Sequence, residues 1–447
     1  MAGWIDSLRS GAWLTAERMR LVAFAVLAAG FIGGSFLIAT SNGLNDRFGR
    51  PLGTDFSDVY AAGTYVLDGQ PSAPFDPARQ HAREQAIFGP ATPFYGWHYP
   101  PFFLGAAALF ATMRYPLALA LWQGVTLLLY LWAIRAIVTA PSWRGLSRPS
   151  TSWPQSAPED VDARHKAGHD VEKCWVPQSR LWLLLALAFP AVFINLGHGH
   201  NGFLTAALFG GALTQLDRRP ALAGFLIGCL VYKPQFGLLV PLVLAASRRW
   251  RVFAAAAATV IVLALAVTLA FGTDVWTAFL TSTKFTRVEV LEHGGTGWQK
   301  IQSVFSVVRM WGGGIALAYA VQGAVSIAVA AALAWLWRRR APYPLQAAAL
   351  LIGTILATPY SLDYDLMLLA PAIAFFAADG LAHGFAPYEK TILAVLWIVP
   401  LITRSVAGAT SIPLAVPAML LCFLLLLRRA MAENGAVQTS GVLRSGP

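Results

Sequence analysis

Apolar runs of membrane-spanning length follow one another along most of this 447-residue chain. Those at 21–41, 116–138, 252–271 and 313–337 each approach or exceed the roughly 20 apolar residues that a helix needs to cross a bilayer. Charged residues make up 12% of the chain, about half their share in soluble domains. Since lipid offers backbone groups no partners, we expect an all-α polytopic membrane protein.

The positions of the basic clusters predict about 12 transmembrane helices. The arginines at 248–251, 338–340 and 428–429 should face the cytoplasm, and so should the N-terminal segment 1–20. Two internal termini require an even number of crossings, so the short run 101–113 is predicted not to cross. The other runs lie at 181–196, 202–216, 220–232, 235–247, 344–358, 364–378, 391–403 and 412–427.

The remaining segments are assigned by composition. Residues 21–427 form one predicted transmembrane domain. Within it, 139–180 is rich in Ser, Pro and mixed charge and is predicted to be a flexible cytoplasmic loop, whereas 272–312 should be external. The tail 428–447 is predicted to be cytoplasmic and disordered.

Several classes of protein are excluded or disfavoured. The charge of +11 is spread over short clusters, so no contiguous basic face for nucleic acid is visible. Cys174, Cys229 and Cys422 are far apart and indicate neither a disulfide framework nor a metal site. Neither a dinucleotide fingerprint nor a phosphate-binding loop is present, which disfavours a soluble nucleotide-sugar substrate. We expect no cofactor and no metal.

Two aspartates follow the first apolar run, in the segment GTDFSDVYAAG. Carboxylates near hydrocarbon are costly and are kept mainly where they line a watery site. We interpret Asp55 as the catalytic candidate and Asp58 as a substrate-binding or capping neighbour. In the structural alternative, Asp55 caps a helix at 56–67 and Asp58 occupies its third position.

Other polar residues gather at the predicted external helix ends. Lys233 interrupts an apolar stretch at a turn, where its compact ammonium suits a phosphate, although it could simply reach lipid headgroups. The turn GHGHNG offers His198, His200 and Asn201 to phosphate or sugar hydroxyls, or merely caps two helices. The other candidate substrate-binding residues are Tyr60, His98, Tyr99, Gln235, Tyr360, Asp363 and Asp365.

The segment YSLDYD has its own alternatives. Asp363 either binds substrate or caps a helix that begins near Tyr364. Asp365 either accepts a sugar hydroxyl or orients Lys233. A transporter would instead place such groups near the middle of the membrane, so the one-sided distribution favours an enzyme that takes a lipid-borne substrate.

Several short motifs occur in a recognisable order: DFSDVY after the first run, YPP, the glycine turn, Lys-Pro at 233–234 and TPYSLDYDL near the end. Over residues 40 to 427, approximately, the chain resembles glycosyltransferase family 87. That family is a branch of the GT-C superfamily of polytopic glycosyltransferases, and it includes polyprenyl-phosphate-mannose-dependent mannosyltransferases. This chain differs from the family pattern in two places. One is the glycine turn, which reads GHGHNG here, and the other is Asp363-Tyr364-Asp365, where some relatives have histidines.

The resemblance implies a GT-C-type bundle whose external first loop carries short helices. It implies inverting transfer of a hexose, such as mannose, from a polyprenyl-phosphate donor to a lipid or glycan acceptor. Asp55 would be the general base and Lys233 a ligand of the leaving phosphate. The expected location is the plasma (inner) membrane, with membrane lipids as neighbours and the site on the external, periplasmic side. A lipid-linked sugar flippase, a secondary transporter and a structural membrane protein are the alternatives.

Overall fold

The computed structural model describes residues 2–140, 180–339 and 341–442. Within these ranges the chain is helical, with isolated β-bridges and no strand, which confirms the predicted all-helical class. Most of the predicted flexible loop 139–180, including Cys174, lies outside the described residues.

In the first third of the chain, after the short α1, a group of short helices lies between the long helices α2 and α6. The connection that follows α2 contains the short helices α3 and α4. The helices are α1 (Ala2–Ser10), α2 (Ala16–Ala39), α3 (Thr54–Leu67), α4 (Pro77–Phe88), α5 (Leu104–Ala111) and α6 (Tyr115–Thr139).

Short, broken helices dominate the middle of the chain, because Pro or Gly interrupts each apolar run. They are α7 (Leu181–Leu187), α8 (Pro190–His198), α9 (Gly202–Gln215), α10 (Pro220–Gly228), α11 (Pro234–Gly237) and α12 (Val240–Ala246). The 3₁₀ turn Cys229–Tyr232 joins α10 to Lys233.

Longer helices return in the last part. They are α13 (Trp250–Phe271), α14 (Asp274–Phe285), α15 (Val304–Met310), α16 (Ile315–Arg338), α17 (Tyr343–Ala357), α18 (Leu369–His383), α19 (Glu389–Thr410) and α20 (Ala415–Val442). Between them lie a π-helix at Thr286–Glu292 and 3₁₀ helices at Trp298–Lys300 and Asp363–Leu368.

Seven helices in the described ranges are long and apolar enough to cross a membrane, and counting the bent pair α7–α8 as one span gives eight. The seven are α2, α6, α13, α16, Asp363–His383, α19 and the first 18 residues of α20. Other apolar helices, such as α17 and that at Pro101–Ala111, have only 10–17 residues. The predicted total of about 12 crossings therefore stays a prediction, and so does the choice of 101–113 as the run that does not cross.

Helix α17 forms the centre of the core. Its sequence is apolar on every face, and residues 344–357 are all buried. Gly353 allows close packing, since an added Cβ would lie 2.9 Å from side-chain atoms of Leu333 and Val329 on α16. A helix that is hydrophobic all round belongs inside, and α16, α18 and α20 surround this one.

The segment Asp363–His383 joins two polar regions at opposite ends of the bundle. The cavity end is defined by Asp55, Lys233 and Asp365, and the arginine end by Asp379 and Arg429. Helix α2 runs from the arginine end to the cavity end. Just before its start, the indole N–H of Trp13 donates to Thr391 of α19, and its other end leads to α3, which carries Asp55.

The tail differs from the sequence prediction. We predicted disorder over 428–447, but α20 continues to Val442, so the described part of this tail is helical. Two physical reasons apply: Arg and Ala are good helix formers, and Arg429 forms ion pairs that hold this turn against α18 and α19.

Candidate active site

A cavity of about 1620 Å³ opens at the cavity end of the bundle. Its walls come from α2, the start of α3, the α8–α9 turn, the Lys233 turn and the 3₁₀ helix Asp363–Leu368. The predicted site residues in its lining are Asp55, Asp58, His98, Tyr99, His198, His200, Lys233, Gln235, Tyr360, Asp363 and Asp365. Segments far apart in sequence thus meet around one space.

The approach of two glycine backbones brings Asp55 to His198. Gly53 and Gly199 both have left-handed φ angles, +68° and +63°. A Cβ on Gly199 would lie 2.6 Å from Cβ of Phe56 and 3.2 Å from Cα of Gly53. Any larger residue at 199 would therefore push the α8–α9 turn away from α3.

Asp55, Thr54 and His198 form a hydrogen-bonded group. The Thr54 hydroxyl lies 2.8 Å from His198 Nδ1 and 3.3 Å from Asp55 Oδ1, and Nδ1 is 3.3 Å from the same carboxylate oxygen. The predicted cap at Asp55 is wrong, because α3 begins at Thr54 and Gly53 is its N-cap. Asp55 lies instead in the first turn, where the helix dipole favours a negative charge.

The surroundings keep Asp55 ionised. Burial raises the pKa of the Asp55 carboxyl, but the charge and hydrogen bond of His198 outweigh it, helped by the charge of Lys300 and by Thr54. The net pKa is below the ordinary value of an aspartate. About a fifth of the side chain (21%) is exposed to solvent. Asp55 is thus a charged carboxylate that faces the cavity.

Asp58 has the opposite environment. Its side chain is 5% exposed, and its Oδ1 has no hydrogen-bond partner among the described residues. Burial, with the negative charges of Asp55 and Glu84, raises the pKa of Asp58 well above its ordinary value. The two aspartates that look alike in sequence therefore differ, because their surroundings lower the pKa of Asp55 and raise that of Asp58.

Lys233 and Asp365 form a buried ion pair, 2.6 Å from Nζ to Oδ1, with side chains 7% and 1% exposed. The second oxygen of Asp365 accepts the N–H of Leu362. This corrects the assignment of the cap to Asp363, which accepts the N–H of its neighbour Tyr364 and an N–H of Arg404. The alternative in which Asp365 orients Lys233 matches this geometry.

His200 lies against Lys233 and is neutral. Burial and the charges of Lys233 and His198 lower the pKa of His200 well below its ordinary value. Its ring stacks on Tyr364 at 3.4 Å between centroids, and Nε2 lies 3.2 Å from the Tyr99 hydroxyl. When Tyr99 donates to Nε2, Nδ1 carries the hydrogen, and Nδ1 has no partner in the described structure.

The remaining predicted residues divide into two groups. His98 bonds to the Thr286 hydroxyl at 2.8 Å, which ties the loop before α5 to the π-helix. Burial lowers the pKa of His98 to about 4, so it is neutral at pH 7. The structure does not bring Tyr60 or Asn201 to the cavity lining. Tyr60 donates to the carbonyl of Met113, whereas Asn201 is buried beneath the turn.

Cavity residues that were not among the predicted site residues include Thr54, Lys300, Tyr364 and Arg404. Lys300 is half-buried, with no hydrogen bond or ion pair among the described contacts, and its charge acts on Asp55. Arg404 reaches Asp363 from α19, with 43% of its side chain exposed. In the sequence, Arg404 is a single arginine next to an apolar run, and this pattern could have indicated a functional residue.

The described residues contain no group of three or more His, Cys, Asp or Glu side chains placed to hold a metal ion. The acidic side chains in the cavity lining include Asp55, Asp363 and Asp365, and the basic ones include Lys233, Lys300 and Arg404. Such a set is able to abstract a proton and to meet the charge of an anion.

Comparison with known proteins gives one informative match. A model of glycosyltransferase family 87 matches residues 97–359, more than half of the chain. The matched part includes His98, His198 and Lys233, while Asp55 and Asp365 lie outside it. A stretch of 47 residues is 53% identical to an error-prone DNA polymerase of Rhodopseudomonas palustris (strain BisA53), over 10% of this chain and 4% of that protein. No solved structure matches.

Proposed function

Since the chain belongs to glycosyltransferase family 87 and is a membrane glycosyltransferase, we propose that it transfers a hexose from a polyprenyl-phosphate donor. The acceptor is a hydroxyl of a lipid or glycan, and the site faces the external side of the plasma membrane. Mannose is the hexose that the family resemblance suggests.

The observation that carries this proposal is the composition of the active-site cavity. It joins a charged carboxylate to cationic groups at one end and to apolar residues of α2, α8 and α19 along its side. A donor that combines a sugar, a phosphate and a hydrocarbon chain needs these three surfaces together. A water-soluble donor would leave the apolar wall without a partner.

Asp55 is the proposed general base. The acceptor oxygen attacks the anomeric carbon, the bond from that carbon to the phosphate oxygen breaks, and the hydroxyl proton moves to the Asp55 carboxylate. Polyprenyl phosphate leaves with the bonding electrons, and the anomeric centre is inverted because the displacement is direct. Thr54 and His198 hold the carboxylate in position through the contacts described above.

Lys233 and His200 are the proposed ligands of the leaving phosphate. An ammonium group has three donors, and the described bonds of Lys233 use one of them, on Asp365. His200, whose ring stacks on the same Tyr364 that Lys233 contacts, adds the free Nδ1–H. Negative charge develops on the phosphate as its bond to the anomeric carbon breaks. Two donors that stabilise this charge lower the barrier, and no proton has to be transferred to the phosphate.

The test is Asp55→Asn in membranes that are supplied with radiolabelled polyprenyl-phosphate hexose. We expect the transfer rate to fall about a hundred- to ten-thousand-fold, the range that general-base catalysis contributes. Asp68→Asn at the other end of α3, where the aspartate is half exposed, is the matched control and should stay within about twofold of the wild type.

A near wild-type rate in Asp55→Asn would remove Asp55 as the base. Movement of the labelled lipid across vesicles without a glycosidic product would instead support the flippase or transporter alternative. Absence of both transfer and lipid movement with the wild-type protein would support the structural alternative.

A further inference from the structure

A second cavity, of about 330 Å³, lies toward the arginine end of the bundle. We call it the inner chamber. Its walls are largely aromatic and aliphatic, and Arg18 and Lys390 are the charged side chains in its described lining. The large aromatic residues that line it are Trp13, Tyr130, Trp182, Phe189, Phe385 and Trp397. The proposed reaction makes no use of this space.

The inner chamber and the active-site cavity adjoin along α2. Val22 of α2 and Ile398 of α19 line both cavities. The active-site cavity follows α2 from Leu37 back to Leu21, and the inner chamber continues past Met19 to Trp13. An apolar path thus leads from the neighbourhood of Asp55 along the whole of α2.

The length of this path selects its occupant. At a rise of 1.5 Å per residue, the 15 steps from Leu37 to Val22 span about 22 Å, and the chamber lies beyond them. One leaflet of a bilayer is about 15 Å of hydrocarbon, half of the usual 30 Å core. The chains of a lipid confined to one leaflet, with its headgroup at the cavity, would end before the inner chamber.

We propose that the inner chamber binds the far end of the donor's isoprenoid chain and makes the enzyme selective for long-chain donors. The inference rests on the proposed function for the identity of the donor. An isoprenoid chain that crosses the bilayer midplane is long enough to reach the chamber. Its burial there removes apolar surface from contact with other lipid tails and replaces it with close contacts to aromatic rings.

Access to the chamber is available from the side of α2. In the most apolar stretch of α2, 6% of the residues are buried in the bundle. A hydrocarbon chain is therefore able to slide under this helix from the bilayer without unfolding the core.

Chain-length selectivity is the first test. Ala186→Trp and Ala374→Trp each fill the chamber, because both alanines are buried in its wall. We expect a rise of tenfold or more in KM for a donor of about ten isoprene units and a change below twofold for a donor of two units. Leu128→Trp, on the exposed face of α6, is the control and should change neither value.

Equal KM changes for both donors, or none for either, would overturn the proposal. The short donor is too short to reach the inner chamber. Its transfer by Ala186→Trp and Ala374→Trp therefore tests the proposed function without testing the role of the chamber. Melting temperatures show whether each variant folds, and Ala374→Leu is the milder plug if the tryptophan variant does not.

A second measurement does not depend on transfer. A long-chain polyprenyl phosphate with a photoreactive group at the end of its tail is crosslinked to the full-length protein in lipid nanodiscs. We expect labelled peptides from α7 and α18, around Ala186 and Ala374. Labels confined to the lipid-exposed helix α13 would contradict the chamber, even if wild-type protein transferred sugar from every donor.

Discussion

Two buried ion groups occupy opposite ends of the same helical segment and differ in what surrounds them. At the arginine end, Arg429 lies between Asp379, at 2.6 Å, and Glu389, with side chains at most 7% exposed. At the cavity end, Lys233 meets Asp365 at the same 2.6 Å. Both groups are buried and closely paired, although Arg429 meets two carboxylates and Lys233 meets one.

The neighbours distinguish them. None of the three residues at the arginine end lines either cavity described above, and Glu389 also accepts the N–H of Ala386, which fixes the turn before α19. Lys233 instead faces a cavity beside the free Nδ1 of His200. A short distance between charges does not identify a functional pair, whereas unused hydrogen-bonding capacity beside a cavity does.

The largest expected effect is on stability at the arginine end. Arg429→Met leaves Asp379 and Glu389 buried without their cation, which should cost about 3–5 kcal/mol of folding free energy. Transfer per folded molecule should stay near wild type. The measurement combines denaturant unfolding in detergent with activity per folded protein, and Arg428→Met, an exposed neighbour, is the control. A selective loss of activity would remove the proposed distinction.

The second prediction concerns Lys233. Lys233→Met should lower transfer about a hundredfold, since a donor to the developing charge is lost, and should also destabilise the protein. Lys233→Met with Asp365→Asn removes both charges and should recover most of the stability but not the transfer rate. Recovery of transfer in this double variant would show that Lys233 merely neutralises Asp365.

The third prediction concerns Glu84, which is buried behind the cavity. Burial raises the pKa of Glu84 from 4.5 to about 7, although the N–H groups of Tyr95 and Gly96 oppose the shift. A raised folded-state pKa means that its stability contribution is complete below pH 4.5 and is lost as pH rises toward 7. This loss is on the order of 3 kcal/mol. Melting curves from pH 4 to 8 should show the decline.

Glu84→Gln should remove its share of that decline, because glutamine does not titrate. Glu289→Gln, an exposed carboxyl on the π-helix, is the matched control and should keep the wild-type slope. An unchanged slope in Glu84→Gln would mean that another group causes the pH dependence.

The smallest expected effect is that of Asp58→Asn. Asparagine keeps the size and polarity of the side chain at a position where burial and the charges of Asp55 and Glu84 disfavour the charged form of Asp58. We therefore expect less than a tenfold change in transfer and a stability change within about 1 kcal/mol at pH 7. A loss as large as that of Asp55→Asn would make Asp58 a partner in catalysis.

Much of the helical pattern was predictable from apolar periodicity and its interruptions. The predicted run 344–358 corresponds to α17 at Tyr343–Ala357, and 252–271 to α13 at Trp250–Phe271. These boundaries follow from composition, because prolines, glycines and charged residues end each run. Eleven of the 13 predicted site residues line one cavity.

The contacts between distant segments could not be predicted. The close approach of Gly53 and Gly199 decides that Asp55 is paired and Asp58 is not, and neither glycine signals its partner in the sequence. The capping assignment at Asp363 failed for a related reason. The local pattern favoured Asp363 as the cap, whereas in the structure Asp365, which pairs with Lys233 from a distant turn, accepts the N–H of Leu362.

The loose packing of α2 has a kinetic consequence. Where α2 approaches α8 closely, Gly30 lies against the ring of Phe193, yet most of α2 stands free of the bundle. A donor anchored in the membrane would then reach the enzyme by diffusion in two dimensions, through the gap beside α2. Its encounter rate would follow its mole fraction among the lipids and not its amount per volume of buffer, so added inert phospholipid would slow turnover while added buffer would not.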